Sequence, residues 1–205
     1  MSTIAILTIK RFDAAKQRLG DAGIRPALAE AMMTDVLDAI AGSDAVDEVL
    51  IVSGEPRTHS HGRVIEDPDE GHNPAATRGI DAAIERGATR VVLLAGDCPL
   101  LDPVDLDSLL IDRGDHLVVI ADRHGTGTNG LIISPPRAVA PSFGEGSCAR
   151  HQELAAAAGI ECTVATGTSL ALDIDTPDDL RALIESTETQ RAPNTRAVLS
   201  AEGLL

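Results

Sequence analysis

Tryptophan and tyrosine are absent from this chain, and its 205 residues include only two phenylalanines, Phe12 and Phe143. Proteins that grip single-stranded nucleic acid stack its bases on aromatic faces, so the composition argues against that partner. Positive charge is scarce as well. Lysine occurs only at Lys10 and Lys16, and 32 acidic residues against 17 lysines and arginines leave a net charge of -15. Such a surface repels nucleic-acid phosphates in general. A polyphosphate ligand must instead meet a local cationic cluster or a metal ion. Cysteine is sparse: Cys98, Cys148 and Cys162 are widely spaced and form no C-x-x-C, which indicates neither a disulfide framework nor a zinc site. Cys148 falls near the candidate site discussed below, but a small buried thiol is its ordinary role. No apolar run reaches the length of a membrane span, and the N-terminus shows no signal-peptide pattern. The expectation is a cytoplasmic protein with no membrane and no nucleic-acid partner.

What the chain does have is aliphatic. Hydrophobic residues make up 43% of it, enough for a full core of Val, Ile, Leu and Ala. Short apolar runs at residues 4–7, 49–52, 64–65, 91–95, 117–120, 131–133 and 162–165 predict strands. Helical spacing or capping signals over residues 26–40, 73–87, 102–110, 148–158 and 176–185 predict helices between them. The alternation predicts an α/β fold, a single domain with a largely parallel sheet flanked by helices. The unbroken apolar runs predict strands covered on both faces. On this reading residues 1–185 form the domain. Residues 186–205 open on a polar, unpatterned stretch and predict a mobile C-terminal tail, in which Val198, Leu199, Leu204 and Leu205 could dock.

The stretch Asp173-Ile174-Asp175-Thr176-Pro177-Asp178-Asp179 is the most informative. Thr176 fits an N-cap, Pro177 the first helical position, and Asp178 and Asp179 an acidic first turn. That leaves Asp173 and Asp175 without a local role. Read as the end of a strand, they share one face, and two carboxylates there are costly unless a cation lies between them. Mg²⁺ with a phosphate ligand meets that need; purely structural carboxylates are the competing reading. Asp97 follows the strand at 91–95, and ligands in open α/β sheets bind beyond the carboxyl ends of strands. It is either a loop-capping aspartate or, with Asp173 and Asp175, part of a site for one or two metal ions.

Gly125-Thr126-Gly127-Thr128-Asn129-Gly130 matches G-x-G-x-x-G in letters. A strand and Pro135-Pro136 follow it, so no helix starts there and the dinucleotide reading is excluded. It reads as a hairpin turn whose backbone could still cradle a phosphate. Phe143-Gly144-Glu145-Gly146-Ser147 leads into a helix with Ser147 as N-cap, an anion-binding arrangement. Arg150 and His151 occupy its first turn, where acids are preferred; this suggests a bound anion, unless Arg150 points to solvent. Lys10, Arg11, Lys16 and Arg18 crowd the loop after the first strand. They suit a triphosphate, or a solvated loop beside acidic neighbours. His59, His61 and His72 form no metal-ligand pattern, although Gly71-His72-Asn73 lies where a nucleobase or ribose could be touched.

Together these segments resemble the CofC/FbiD family, the 2-phospho-L-lactate or phosphoenolpyruvate guanylyltransferases of coenzyme F-420 biosynthesis. The resemblance rests on Lys10-x5-Lys16-Gln17-Arg18-Leu19, Gly96-Asp97-Cys98-Pro99-Leu100, Asp122-Arg123 with Gly127-Thr128-Asn129, Phe143-Gly144-x-x-Ser147 with His151, and Leu172-Asp173-Ile174-Asp175-Thr176-Pro177. It implies a mixed-sheet nucleotidyltransferase fold similar to the glycosyltransferase-A type. It implies that Asp97, Asp173 and Asp175 hold Mg²⁺, and that Lys10, Lys16 and Arg18 face the GTP phosphates as catalytic cations. Thr128, Gly144 and Ser147 would hold the three-carbon phosphate substrate, with His151 beside them. Thr8 stands where the family usually has proline, and Cys98 and His72 where it often has leucine; these departures fall on the nucleotide side of the implied site.

The implied reaction is attack by the phosphate of phosphoenolpyruvate or 2-phospho-L-lactate on the α-phosphorus of GTP. Pyrophosphate leaves, and a downstream transferase accepts the unstable guanylylated product; a homodimer is compatible with this. Rival readings are a molybdopterin-type nucleotidyltransferase, an Asp-x-Asp glycosyltransferase that releases no pyrophosphate, and a nucleotide-binding regulator without turnover. The residues alone leave open which three-carbon acid is used and whether guanine is the base.

Overall fold

The computed structural model describes residues 1–9, 24–54, 61–111 and 114–205. Among these, seven strands form one sheet in the order β3-β2-β1-β4-β6-β5-β7. They are β1 (Thr3–Ile9), β2 (Glu48–Ser53), β3 (Arg63–Glu66), β4 (Arg90–Leu94), β5 (His116–Ala121), β6 (Thr128–Ser134) and β7 (Glu161–Ala165). Every neighbouring pair is parallel except those of β6, which runs antiparallel to β4 and β5. The sheet is mixed and mostly parallel, as the resemblance implied.

Helices α1 (Arg25–Ala41), α2 (His72–Glu85), α3 (Pro103–Leu109), α4 (Ser147–Ala158), α5 (Pro177–Glu185) and α6 (Pro193–Ala201) cover it. Successive strand residues face opposite sides and divide the core. Ala5 and Leu7 join a cluster with α1, α3, α5 and α6, whereas Ile4 and Ile6 join a second with α2 and α4. With both faces covered, β4 is buried along its whole length, which is why Val and Leu fill it after Arg90. Each such buried side chain stabilises the fold by about 1.5–3 kcal/mol. Helix α2 lies close on the sheet because Gly79 has no side chain; a Cβ there would stand 2.4 Å from Ile6 Cγ2.

Two features of the sheet create the site. Strand β1 pairs with β2 on one side and β4 on the other, so the connections diverge and leave a crevice at the carboxyl ends of β1 and β4. Because β6 is antiparallel, its first residues arrive at that same edge. Leu94 pairs with Gly130, and the Ala95 N–H donates to the Asn129 carbonyl at 2.9 Å.

The C-terminal segment differs from expectation. Instead of a mobile tail throughout, residues 186–205 contain α6, which packs on α1. Asp35 of α1 anchors its first turn, accepting from the N–H and Nδ2 of Asn194 and the N–H and Oγ1 of Thr195 at 2.6–2.9 Å. The helix buries only Thr195 and Leu199 and takes its cap from another helix, so it leaves no periodic apolar pattern. Leu204 and Leu205 stay exposed.

Candidate active site

Asp97 lies just past the end of β4. Its carbonyl accepts the Ile174 N–H at 3.0 Å, which joins the two aspartate-bearing segments. The expected strand before Asp173 is not there: residues 170–175 are irregular. Their order comes from one side chain instead. Asn129 Nδ2 donates to Leu170 O at 2.9 Å, Ala171 O at 3.3 Å and Asp173 Oδ1 at 3.2 Å. Ile174 is buried in the core, Asp173 is half-buried and Asp175 is exposed. Burial, and then the charge of Asp97, push the Asp173 carboxyl above the usual carboxylate range; Asp175 adds a smaller push, and the Asn129 bond opposes it.

The start of α5 follows its sequence closely. Thr176 and Asp179 form a reciprocal capping box, with Pro177 in the first turn. Asp179 also pairs with Arg123, tying α5 to the hairpin between β5 and β6. That hairpin is the glycine-rich stretch, closed by Asp122 Oδ1 accepting from the Thr126 N–H at 2.9 Å.

The opposite wall is the loop of residues 142–146. Gly144 has φ +124°, a region that side-chain-bearing residues avoid. The cap of α4 is Gly146 in the left-handed conformation, so Ser147 is the first helical residue and not the cap expected. Asn73, in the first turn of α2, clamps the loop: its Oδ1 accepts the Phe143 N–H at 2.8 Å and its Nδ2 donates to Phe143 O at 3.3 Å. From the other side, Arg150 donates to Ser142 O, Ser142 Oγ and Glu145 O. Arg150 therefore neither points to solvent nor awaits an anion. It binds loop carbonyls, and its first-turn position is no evidence for a ligand.

His151 is fully buried. Its Nε2 accepts the Ser142 N–H at 2.9 Å, and its Nδ1 lies 3.2 Å from Thr128 Oγ1. Burial and the neighbouring Arg150 charge lower its pKa to about 4, so the ring is neutral near pH 7. Beside Thr128, Asn129 and Phe143 lies a pocket of about 30 Å³, lined also by Thr8 and His72 at the ends of β1 and α2. Thr8 Oγ1 is 3.1 Å from His72 Nδ1, and the His72 ring meets Phe143 edge-on at 4.7 Å. A single water needs about 10–15 Å³ on this scale, so the pocket suits a group of a few atoms.

The structure thus brings Asp97, Asp173 and Asp175 to one side of the crevice, and Thr128, Gly144, Ser147 and His151 to the other. Lys10, Lys16 and Arg18 lie outside the described residues. Two residues that the sequence named only within motifs join the walls with other roles. Asn129, of Gly127-Thr128-Asn129, orders the aspartate segment, and Asn73, of Gly71-His72-Asn73, clamps a loop 70 positions away instead of standing open to a nucleobase.

Among the described residues, no group of three or more His, Cys, Asp or Glu side chains is drawn up into a metal cage. Carboxylates on two adjoining segments are hard oxygen donors and fit Mg²⁺. That ion keeps waters and takes one or two carboxylates plus substrate phosphates. The set does not fit structural zinc.

A family described as guanylyl transferase CofC like matches residues 3–197. The phosphoenolpyruvate guanylyltransferase of Conexibacter woesei is 48% identical, covering 98% of this chain and 96% of its own. The 3-phospho-D-glycerate guanylyltransferase of Phenylobacterium zucineum is 40% identical over 85% of this chain and 86% of its own. Among solved structures, a candidate nucleotide-diphospho-sugar transferase from Desulfovibrio desulfuricans G20 shares the fold, with a TM-score of 0.79 at 16% identity over 100% of this chain and 97% of that one. No helix among the described residues is long and apolar enough to cross a membrane. A family match running almost from end to end, over a crevice of this form, means that the chain belongs to the CofC-like guanylyl transferase family.

Proposed function

We propose that this chain transfers the guanylyl group of GTP to the phosphate of a three-carbon phosphorylated acid, phosphoenolpyruvate first among them, and releases pyrophosphate. The observation that carries the reading is the meeting, on one sheet edge, of an aspartate cluster and a pocket of few-atom size. It occurs in a chain 48% identical to a phosphoenolpyruvate guanylyltransferase. The acceptor phosphate is already an anion, so the reaction needs no nucleophile from the protein. The protein's task is to align two anions and to stabilise charge developing on the leaving pyrophosphate.

Asp97, Asp173 and Asp175 are the residues that would hold Mg²⁺, which when bound neutralises phosphate oxygens and the leaving group. Asn129 fixes Asp173 through its Oδ1. Thr128 and Gly144 hold the acid; Ser147, expected with them, is buried and gives its N–H to Gly144 O, so it acts through the loop, while Thr8 and His72, expected on the nucleotide side, line the same pocket as Thr128. Lys10, Lys16 and Arg18 meet the triphosphate. The product joins GMP to the acid through a phosphoanhydride, an activated linkage suited to a following transferase. We place the enzyme in the cytoplasm, in coenzyme F-420 biosynthesis.

The test is a matrix of four nucleoside triphosphates against phosphoenolpyruvate, 2-phospho-L-lactate and 3-phospho-D-glycerate, with Mg²⁺, following pyrophosphate. GTP with phosphoenolpyruvate should be fastest. A flat matrix removes the proposal, and turnover of a sugar nucleotide without pyrophosphate would favour the glycosyltransferase reading.

A further inference from the structure

The ring of His151 is inaccessible to any ligand, since it is fully buried. Its hydrogen bonds nevertheless decide how Thr128 behaves. A backbone N–H can only donate, so the ring nitrogen facing the Ser142 N–H, Nε2 at 2.9 Å, must be the bare acceptor. A neutral imidazole then carries its single proton on Nδ1. Thr128 Oγ1, 3.2 Å from Nδ1, therefore faces a donor and cannot give its own proton to the ring. Among the described residues it has no other side-chain partner. Its hydroxyl hydrogen is left to the pocket that Thr128 lines.

We infer that His151 is a positioning residue that turns Thr128 into an obligate hydrogen-bond donor toward the pocket, so that this wall selects an acceptor-only oxyanion, a carboxylate or phosphate oxygen of the substrate. The inference deepens the proposed function and rests on the reading of this pocket as the acid subsite. His151 acts at one remove: it touches Thr128 and the loop backbone, not the ligand. The same ring nitrogen that sets the tautomer also holds residue 142, so loop position and hydroxyl direction are fixed together.

Two variants separate those tasks. In His151→Gln, the side-chain oxygen can replace Nε2 as acceptor for Ser142, while the donor toward Thr128 is lost. In His151→Asn, a donor near the Nδ1 position is kept. The expected result for His151→Gln is a KM for phosphoenolpyruvate raised about tenfold, the scale of one lost oriented bond, with the KM for GTP unchanged. His151→Asn should recover most of that loss. In a Thr128→Val background, His151→Gln should add nothing further. Additive effects, or an equal rise in the KM for GTP, would overturn the assignment.

Imidazole ¹⁵N NMR of the unaltered protein near neutral pH decides the same point without any variant. The spectrum should show a protonated Nδ1 and a bare Nε2, and the opposite tautomer rules the inference out. If the wild-type protein turned over none of the three acids, the functional reading would fall while the tautomer measurement would still judge this one.

Discussion

Replacing Asn129 with leucine should cost this protein both stability and the electrostatic setting of its aspartates. One amide nitrogen serves three acceptors: Leu170 O at 2.9 Å, Ala171 O at 3.3 Å and Asp173 Oδ1 at 3.2 Å. Leucine has the same number and branching of side-chain heavy atoms and is bulkier, so the loss is polar rather than a cavity. The short bond to Leu170 O contributes about 1 kcal/mol net, and a buried carbonyl left without its donor costs about 1–3 kcal/mol. The two longer bonds add less, for a total of roughly 2–4 kcal/mol. At about 2–4 °C per kcal/mol for a chain of this size, the Tm should fall by roughly 5–15 °C. The second effect is on charge. The Asn129 bond restrains the Asp173 carboxyl against burial and Asp97, so without it that group titrates higher. The acid limb of the pH–rate profile should move to higher pH. Thermal unfolding and pyrophosphate release from mildly acidic to neutral pH measure both. A Tm within about 1 °C of wild type would refute the role given to Asn129 in ordering residues 170–173. A lower Tm with an unmoved acid limb would refute the electrostatic half.

Asp173→Asn should separate stability from activity. Its charged form is disfavoured by burial and by Asp97, so the neutral amide should stabilise the metal-free protein while lowering turnover about 10²-fold or more. Calorimetry in chelator that gave a lower Tm would contradict the charge assignment. His151 should make stability depend on pH. The unfolded chain takes up its proton near the ordinary value of 6.5 and the folded chain only at about 4. Between those values the unfolded state binds more protons, so stability is full above 6.5 and declines as pH falls toward 4. The loss is at most about 3 kcal/mol, and His151→Gln should flatten that part of the urea-derived stability curve; an unchanged slope would count against the buried neutral ring.

The inner strands of the sheet were legible because they are covered on both faces and so read as continuous aliphatic runs. The carboxyl-edge rule then located Asp97 correctly relative to β4. The Thr176 cap was legible because capping is a local interaction. What escaped is non-local. Asp173 does not end a strand, since its segment is held by an amide from β6 that sequence spacing cannot reveal. Arg150 looked like an anion ligand only because its loop-carbonyl partners depend on the path of residues 142–145. Helix α6 was missed because the carboxylate that caps it sits 159 positions earlier, on Asp35. In each case the deciding partner came from elsewhere in the fold.

The α1–α6 pairing reaches further than its few contacts suggest. Residues 10–23, with Lys10, Lys16 and Arg18, run from β1 into α1, and α1 is braced by the last helix through Asp35. A premature stop codon that removed α6, or a bulky carboxyl-terminal fusion that unwound it, would strip Asp35 of its four donors and loosen α1, the helix that follows the stretch bearing Lys10, Lys16 and Arg18 in the sequence.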